Sequence, residues 1–184
     1  MALNKQDLIN SFCKAGINKG DEIEVHSSLS SFGYVDGGAE TVISALKEAV
    51  GDNGSIFMPA LRLSPELPMT EEDKKAGITS KIKILHENRT HSAMGIIADT
   101  FRMMPDTVTG DGIFAVSGWG RNANEAGEPP VKPWYSIQAQ AYEKGLILEG
   151  YIGSCKYMCF GIWDVVGLYR QALETDPPGL YGLR

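Results

Sequence analysis

Apolar residues first recur at helical spacing near the start of the chain, where Leu8, Ile9 and Phe12 form one stripe. Asn4 or Asp7 stands where a cap is needed and Gly16 where a helix ends, so the spacing predicts a helix over 4–16. Gly20-Asp21 reads as a turn, and Glu22-Ile23-Glu24-Val25-His26 alternates as a short strand. Ser27 to Gly38 is small and polar, a loop. Val42, Ile43, Leu46, Ala49 and Val50 then share one face of a helix over 39–50, closed by Gly51-Asp52-Asn53-Gly54. Ser55 to Ala60 reads as a second strand. Strand, loop, helix and strand make a βαβ unit, which predicts a parallel pair with a right-handed crossover.

Beyond it the pattern is less regular. Pro65, Pro68 and the run Glu71-Glu72-Asp73-Lys74-Lys75 predict an exposed excursion over 61–89, with room for one short helix. An amphipathic helix is expected over 92–104, capped by Ser92 and stopped by Pro105-Asp106. A strand around Ile113–Val116, a proline-rich loop over 124–133, a helix over 136–144, a strand at 146–148 and a helix over 165–173 follow. Asp176-Pro177-Pro178-Gly179 then breaks the chain. There is no internal repeat and no low-complexity segment.

Composition narrows the class. A chain of 184 residues, 43% hydrophobic and 22% charged, is an ordinary globular chain of single-domain size, so 1–184 is expected to form one domain. No window approaches the roughly 20 apolar residues of a spanning helix. The segment Met1–Asp7 lacks the apolar core of a signal peptide, so a cytoplasmic protein with no membrane partner is expected. Asp plus Glu is 23 against 17 Lys plus Arg, a net charge of −6 with no basic run, which makes nucleic acid a poor partner. The acidic balance suits a cationic substrate and is equally ordinary for a soluble protein. Three cysteines form no disulfide framework. Cys155 and Cys159 would share a helix face, but no second pair completes a zinc site, so they read as small buried hydrophobes and no metal is expected.

The loop Ser27–Gly38 carries the strongest chemical signal. Amides at the start of the helix it feeds attract anions, its hydroxyls add donors for phosphate, and Gly37-Gly38 allow close approach of a pyrophosphate. Neither a Gly-Lys-Ser/Thr loop nor Gly-x-Gly-x-x-Gly is present. Phosphate binding and ordinary capping both fit those residues. His26, at the end of the first strand, fits a structural or a catalytic role. Trp134, Tyr135, Tyr157, Phe160 and Trp163 fit a core or a pocket wall.

A longer pattern joins these pieces. It runs Gly20-Asp21, His26-Ser27-Ser28-Leu29-Ser30, Gly33-x-Val35-x-Gly37-Gly38-Ala39-x-Thr41-Val42, Ala45-Leu46 and Val50-Gly51-x-x-Gly54-Ser55-x-x-Met58-Pro59. It resembles the aminoglycoside N(3)-acetyltransferase family. Thr90-His91-Ser92-Ala93-Met94-Gly95, followed by Phe101-Arg102, looks like that family's Thr-Pro-Ser-x-x-Gly helix start with His91 in place of proline. Gly118-Trp119-Gly120 and Leu146-Ile147-Leu148-x-Gly150 match as well, so the likeness runs over roughly 2–170. The resemblance implies a three-layer α/β/α sandwich around a mixed, partly parallel sheet. It implies acetyl-CoA as acyl donor and transfer to the 3-amino group of a 2-deoxystreptamine aminoglycoside. On the same ground Ser27, Ser28, Leu29, Ser30, Gly37, Gly38, Thr90, Ser92 and Met94 would bind the donor.

Two stretches depart from the family pattern. Val108-Thr109-Gly110-Asp111-Gly112-Ile113-Phe114-Ala115 stands where the family has Arg-Ser-x-His-Pro-x-x-Ser. Met158-Cys159-Phe160-Gly161-Ile162-Trp163-Asp164 stands where it has Thr-x-x-His-x-x-Glu. The resemblance makes that His the general base, oriented by the Glu; here the positions are Gly161 and Asp164. Asp164, directly or through water, and His26 are the candidate catalytic groups, with His91 as a further stand-in. Family members also continue beyond the base-bearing segment, which implies a fold shortened on its C-terminal side. Two function classes follow: an acetyl-CoA-dependent N-acetyltransferase acting on an amine such as an aminoglycoside, or a CoA-binding relative that has lost its base.

Overall fold

The computed structural model describes residues 2–126 and 134–176. The expected proline-rich loop past 126, the break at Pro177-Pro178-Gly179 and the side chains of Trp134 and Tyr135 lie outside the described residues. The chain divides into two compact units, Met1–Pro129 and Pro130–Arg184.

In the first unit, α1 (Lys5–Lys14) starts from a reciprocal capping box. The Asp7 amide donates to Asn4 Oδ1 and the Asn4 amide to Asp7 Oδ2, each at 3.0 Å. Leu8 and Phe12 are its buried residues. Strand β1 (Glu22–Glu24) pairs in parallel with β2 (Ser55–Pro59), Ile23 opposite Ile56, and α2 (Gly38–Val50) makes the crossover between them. The predicted βαβ unit is therefore present. Strand β2 also pairs antiparallel with β4 (Val116–Gly120), which pairs with the short β3 (Val108–Thr109). The order β1-β2-β4-β3 is a mixed, partly parallel sheet. Val42, Ile43, Leu46 and Val50 of α2 are buried, as are Ile56 and Met58 of β2 and Ile97 and Phe101 of α4 (Ile96–Arg102). Both α1 and α4 pack against α2.

The excursion after β2 folds back on itself. The amides of Ser64 and Leu67 donate to the carbonyls of Lys83 and Lys81, and the Leu85 amide to Arg62. At its far end sits α3 (Glu71–Lys75), started by a Thr70–Asp73 capping box.

In the second unit, α5 (Trp134–Glu143) and α6 (Ile162–Thr175) bury Ile137, Ala141, Val165 and Leu168 together, with Leu146, Ile147 and Phe160 against them. Strands β5 (Leu148–Ile152) and β6 (Cys155–Cys159) form an antiparallel hairpin. Tyr157 lies over Gly150, where a Cβ would meet its Oη at 2.5 Å.

Four local expectations change. The strand expected at 113–116 forms at Val116–Gly120, because the pairing with β2 selects Ser117, Gly118 and Trp119, while the Ile113 carbonyl takes the Arg62 amide instead. The strand expected at 146–148 starts at Leu148, because Leu146 and Ile147 are drawn into the helical core. Cys155 and Cys159 sit on a strand, not a helix, paired across from Ile152 and Leu148. The helix expected from Ser92 begins at Ile96 with Gly95 at the cap, because the Ser92 hydroxyl bonds Asp99 rather than the helix amides.

Candidate functional site

The loop leaving β1 is built so that two apolar side chains anchor it and its serines face outward. Phe32 and Val35 are buried, while Ser28, Ser30 and Ser31 are exposed. Leu29–Phe32 forms one 3₁₀ turn, with the Ser31 amide donating to the Ser28 carbonyl and the Gly33 amide to Ser30. The Ser28 and Ser30 hydroxyls lie 3.0 Å apart. Leu3 fastens the second half of the loop. Its amide donates to the Tyr34 carbonyl and its carbonyl accepts from the Asp36 amide, both at 2.9 Å.

The chain then enters α2 through two left-handed residues, Gly37 (φ +74°) and Gly38 (φ +61°). A Cβ on Gly37 would sit 2.3 Å from Thr41 Oγ1. No side chain caps α2, and the Gly38 amide is taken by the Val35 carbonyl. The next amides, those of Ala39 and Glu40, belong to the orphan first turn and carry its partial positive charge. A turn without side chains, beside first-turn amides and exposed hydroxyls, sets out donors that an anion can accept from.

Glu40 of that first turn and Thr90 line one open pocket of about 410 Å³, together with Ile96, Thr100 and Met103. Thr90 and His91 are exposed and make no hydrogen bond among the described residues. Ser92 is buried, and its hydroxyl donates to Asp99 Oδ1 at 3.0 Å and accepts from the Met94 amide at 3.1 Å. Met94 is half-buried. Asp99 also accepts the Ser92 amide on Oδ2 at 2.6 Å and Arg102 Nε on Oδ1 at 3.1 Å. Arg102 reaches on to the Arg89 carbonyl, and Arg89 to the Ala60 carbonyl. Burial, then the neighbouring Arg102 cation, pulls the Arg89 pKa down.

One candidate catalytic group belongs to each unit. His26 is 71% exposed in the first, its Nε2 3.1 Å from Glu24 Oε1. Asp164 is exposed in the first turn of α6, in the second. Gly161 is the cap residue of α6, and a Cβ there would sit 2.6 Å from Asp164 Oδ2. Burial pushes the Cys155 thiol pKa up, which favours its protonated form. Among the described residues no group of three or more His, Cys, Asp or Glu side chains could hold a metal ion, and no helix is long and apolar enough to cross a membrane.

Sequence reasoning brought the loop, Thr90 and Ser92 forward and named Arg102 within a motif, but missed Asp99, which joins Ser92 to Arg102. The available signal was a carboxylate among buried residues: Asp99 falls between Ala98 and Phe101 on the inward side of α4. It also missed the cluster at the far end of α2. There Lys47 bonds Asp106 at 2.8 Å and lies 4.8 Å from the centre of the Trp119 ring.

Comparison with known proteins places this geometry. The family model described as aminoglycoside 3-N-acetyltransferase matches residues 25–133, well over half of the chain and all of the loop, α2 and α4. The SPbeta prophage-derived aminoglycoside N(3')-acetyltransferase-like protein YokD of Bacillus subtilis is 32% identical over 130 residues, 66% of this chain and 48% of that protein. The chain thus spans about half the length of this curated relative. Among solved structures, the aminoglycoside acetyltransferase AAC(3)-IVa apoenzyme superposes with a TM-score of 0.74 at 16% identity, covering 98% of this chain and 92% of that one. A binary complex of AAC-IIIb with CoASH superposes at 0.66 and 13% identity, covering 97% and 99%. At such identities the likeness is one of fold, a mixed α/β fold with a partly parallel sheet.

Proposed function

The chain belongs to the aminoglycoside 3-N-acetyltransferase family, and we propose that it binds acetyl-CoA and transfers the acetyl group to an amine, the 3-amino group of a 2-deoxystreptamine aminoglycoside being the acceptor class. The observation that carries this reading is the uncapped start of α2, entered through Gly37 and Gly38, with Glu40 and Thr90 on one pocket. Ser27, Ser28, Leu29, Ser30, Gly37 and Gly38 take the phosphates and the pantetheine arm, with Thr90, Ser92 and Met94 supporting them. The same reading extends the mixed sheet to a three-layer α/β/α sandwich and treats residues 1–184 as part of one cytoplasmic family domain, without nucleic-acid or membrane partners.

In the reaction the amine nitrogen attacks the thioester carbonyl. The C–N bond forms, the C–S bond breaks, one proton leaves the nitrogen and the CoA thiol departs. An ammonium acceptor must first lose a proton, and a placed base is worth about 10²–10⁴-fold. Asp164 and His26 are the proton acceptors in this reading. Holding amine and thioester together supplies much of the remaining acceleration, and amide donors steady the oxyanion.

A second reading, a donor-binding protein without transfer, is favoured by one observation: Gly161 stands where the resemblance puts the basic histidine, and the Asp164 carboxylate occupies the space beside it. Thiol release from acetyl-CoA in the presence of a panel of 2-deoxystreptamine aminoglycosides, together with calorimetry of CoA binding, separates the two. Release above background supports the enzyme. Binding heat without release supports the second reading. Absence of binding heat overturns the donor assignment in both.

A further inference from the structure

The segment Arg89–Met94 is held by hydrogen bonds on both sides of its exposed Thr90 and His91. The Arg89 carbonyl is held by Arg102, the Ser92 amide and hydroxyl by Asp99, the Ala93 amide by the Leu63 carbonyl at 2.8 Å, and the Met94 amide by Ser92 Oγ. Between these holds, Thr90 and His91 bulge outward with no hydrogen bond of their own among the described residues. The carboxylate at the centre of the grip is 3% exposed and the Arg102 side chain 5%. Burying an ion pair is costly unless its lone pairs and protons are satisfied. Here Oδ1 accepts from Arg102 and the Ser92 hydroxyl, and Oδ2 accepts from the Ser92 amide. Aliphatic side chains in place of both members of the pair would fill the same space without that cost. What only a carboxylate does at this place is fix two groups of one neighbouring residue at once.

We propose that Asp99, braced by Arg102, is a positioning residue that holds the Thr90–Ser92 segment in its bulged form and so presents Thr90 to the acyl donor. This deepens the donor-site reading and rests on it. Ser92, its hydroxyl committed on both sides, then acts through the segment's shape, and Thr90 makes the contact. Asp99 touches neither donor nor acceptor. It works at one remove, by keeping the threonine on the pocket that it shares with Glu40 of the first turn of α2.

The test uses the full chain with Asp99→Asn, Thr90→Val and the double variant, reading CoA affinity by calorimetry and the fold by circular dichroism. The asparagine amide keeps one acceptor oxygen and turns donors toward groups that are themselves donors, so the double hold on Ser92 is lost. Asp99→Asn is expected to weaken CoA binding about tenfold, equivalent to about 1.4 kcal/mol. Thr90→Val is expected to weaken it in the native background and to add nothing once Asp99 is changed. A purely structural role would lower the unfolding temperature yet leave the two effects on affinity additive, and that result overturns the proposal. So does a folded Asp99→Asn protein with native affinity. If Asp99→Asn does not fold, Arg102→Lys replaces it, keeping the charge beside Asp99 but losing the reach to the Arg89 carbonyl. Unchanged affinity in that variant overturns the proposal equally. A native chain that binds no CoA is a different failure, since it removes the donor-site reading itself.

Discussion

Replacing Gly37 by alanine puts two separable strains on the entrance to α2. The first is conformational. At φ +74° an L-residue carries a cost of about 1–2 kcal/mol that glycine does not. The second is steric. The new methyl would sit 2.3 Å from Thr41 Oγ1, so the threonine must leave its position, at about 0.5–1.5 kcal/mol if it is driven off its rotamer. Together they make Gly37→Ala destabilising by about 1.5–3.5 kcal/mol, which for a chain of this size lowers the unfolding temperature by about 2–4 °C per kcal/mol. Adding Thr41→Ala removes only the steric part, so the double variant recovers part of the loss and stays below the native protein. Thermal and urea unfolding of the three proteins, followed by circular dichroism, measures both parts. A Gly37→Ala protein as stable as the native one refutes the left-handed assignment. A double variant that recovers nothing refutes the clash. Because the turn sets where the Ala39 and Glu40 amides face, CoA affinity should fall in both variants and should not follow the recovery in stability.

Other consequences are as direct. Asp73 accepts from Lys81 and then from the Thr70 amide, which holds its pKa down to about 2 against an ordinary 3.8. A depressed carboxyl stabilises the fold fully above pH 3.8 and loses that contribution as pH falls through about 2; an NMR titration of the Asp73 carboxyl carbon with its midpoint near 3.8 would refute the pairing. Gly161→His must push the Asp164 carboxylate aside, since even a Cβ would lie 2.6 Å from it. If the missing base limits transfer, this variant shows more thiol release than the native chain in the presence of an aminoglycoside, and no gain counts against the lost-base account. Gly150→Val displaces the Tyr157 ring that covers Gly150. Loss of near-ultraviolet tyrosine signal is expected with far-ultraviolet signal retained, and an unchanged spectrum would contradict that contact.

What the sequence made legible was what short-range chemistry decides. Asn4 and Asp7 both offered a cap for α1, of which Asn4 is the cap and Asp7 its reciprocal partner, and one apolar face sufficed for α2. The β1-α2-β2 crossover followed from their order. The loop before α2 was legible as a loop in its glycines and serines, while those same residues fit phosphate binding and ordinary capping alike. Long-range choices were not legible. The Val116–Gly120 strand contains two glycines, so the apolar run Ile113–Val116 drew the expected strand ahead of it, and only pairing with β2 decides its place. Cys155-Lys156-Tyr157-Met158-Cys159 has spacing that suits a helix as well as a strand, and only Leu148–Ile152 across from it decides. Asp99 was hidden for a similar reason. A lone carboxylate in a short helix reads as solvated, and its partner Ser92 lies outside the helix.

Leu3 joins the residues ahead of α1 to the far end of the loop, and α1 in turn lies along the helix which that loop feeds. The path Leu3, α1, α2 and back through Gly37 to Val35 and Tyr34 is a closed mechanical circuit. Tension applied ahead of Leu3, such as the drag of a fused carrier, is borne first by two hydrogen bonds to the loop and only afterwards by α1. The Tyr34–Asp36 end of the loop, next to the double-glycine entrance, is thus coupled directly to what is attached there. A tag placed ahead of Leu3 would disturb the candidate donor site while leaving the hydrophobic core intact.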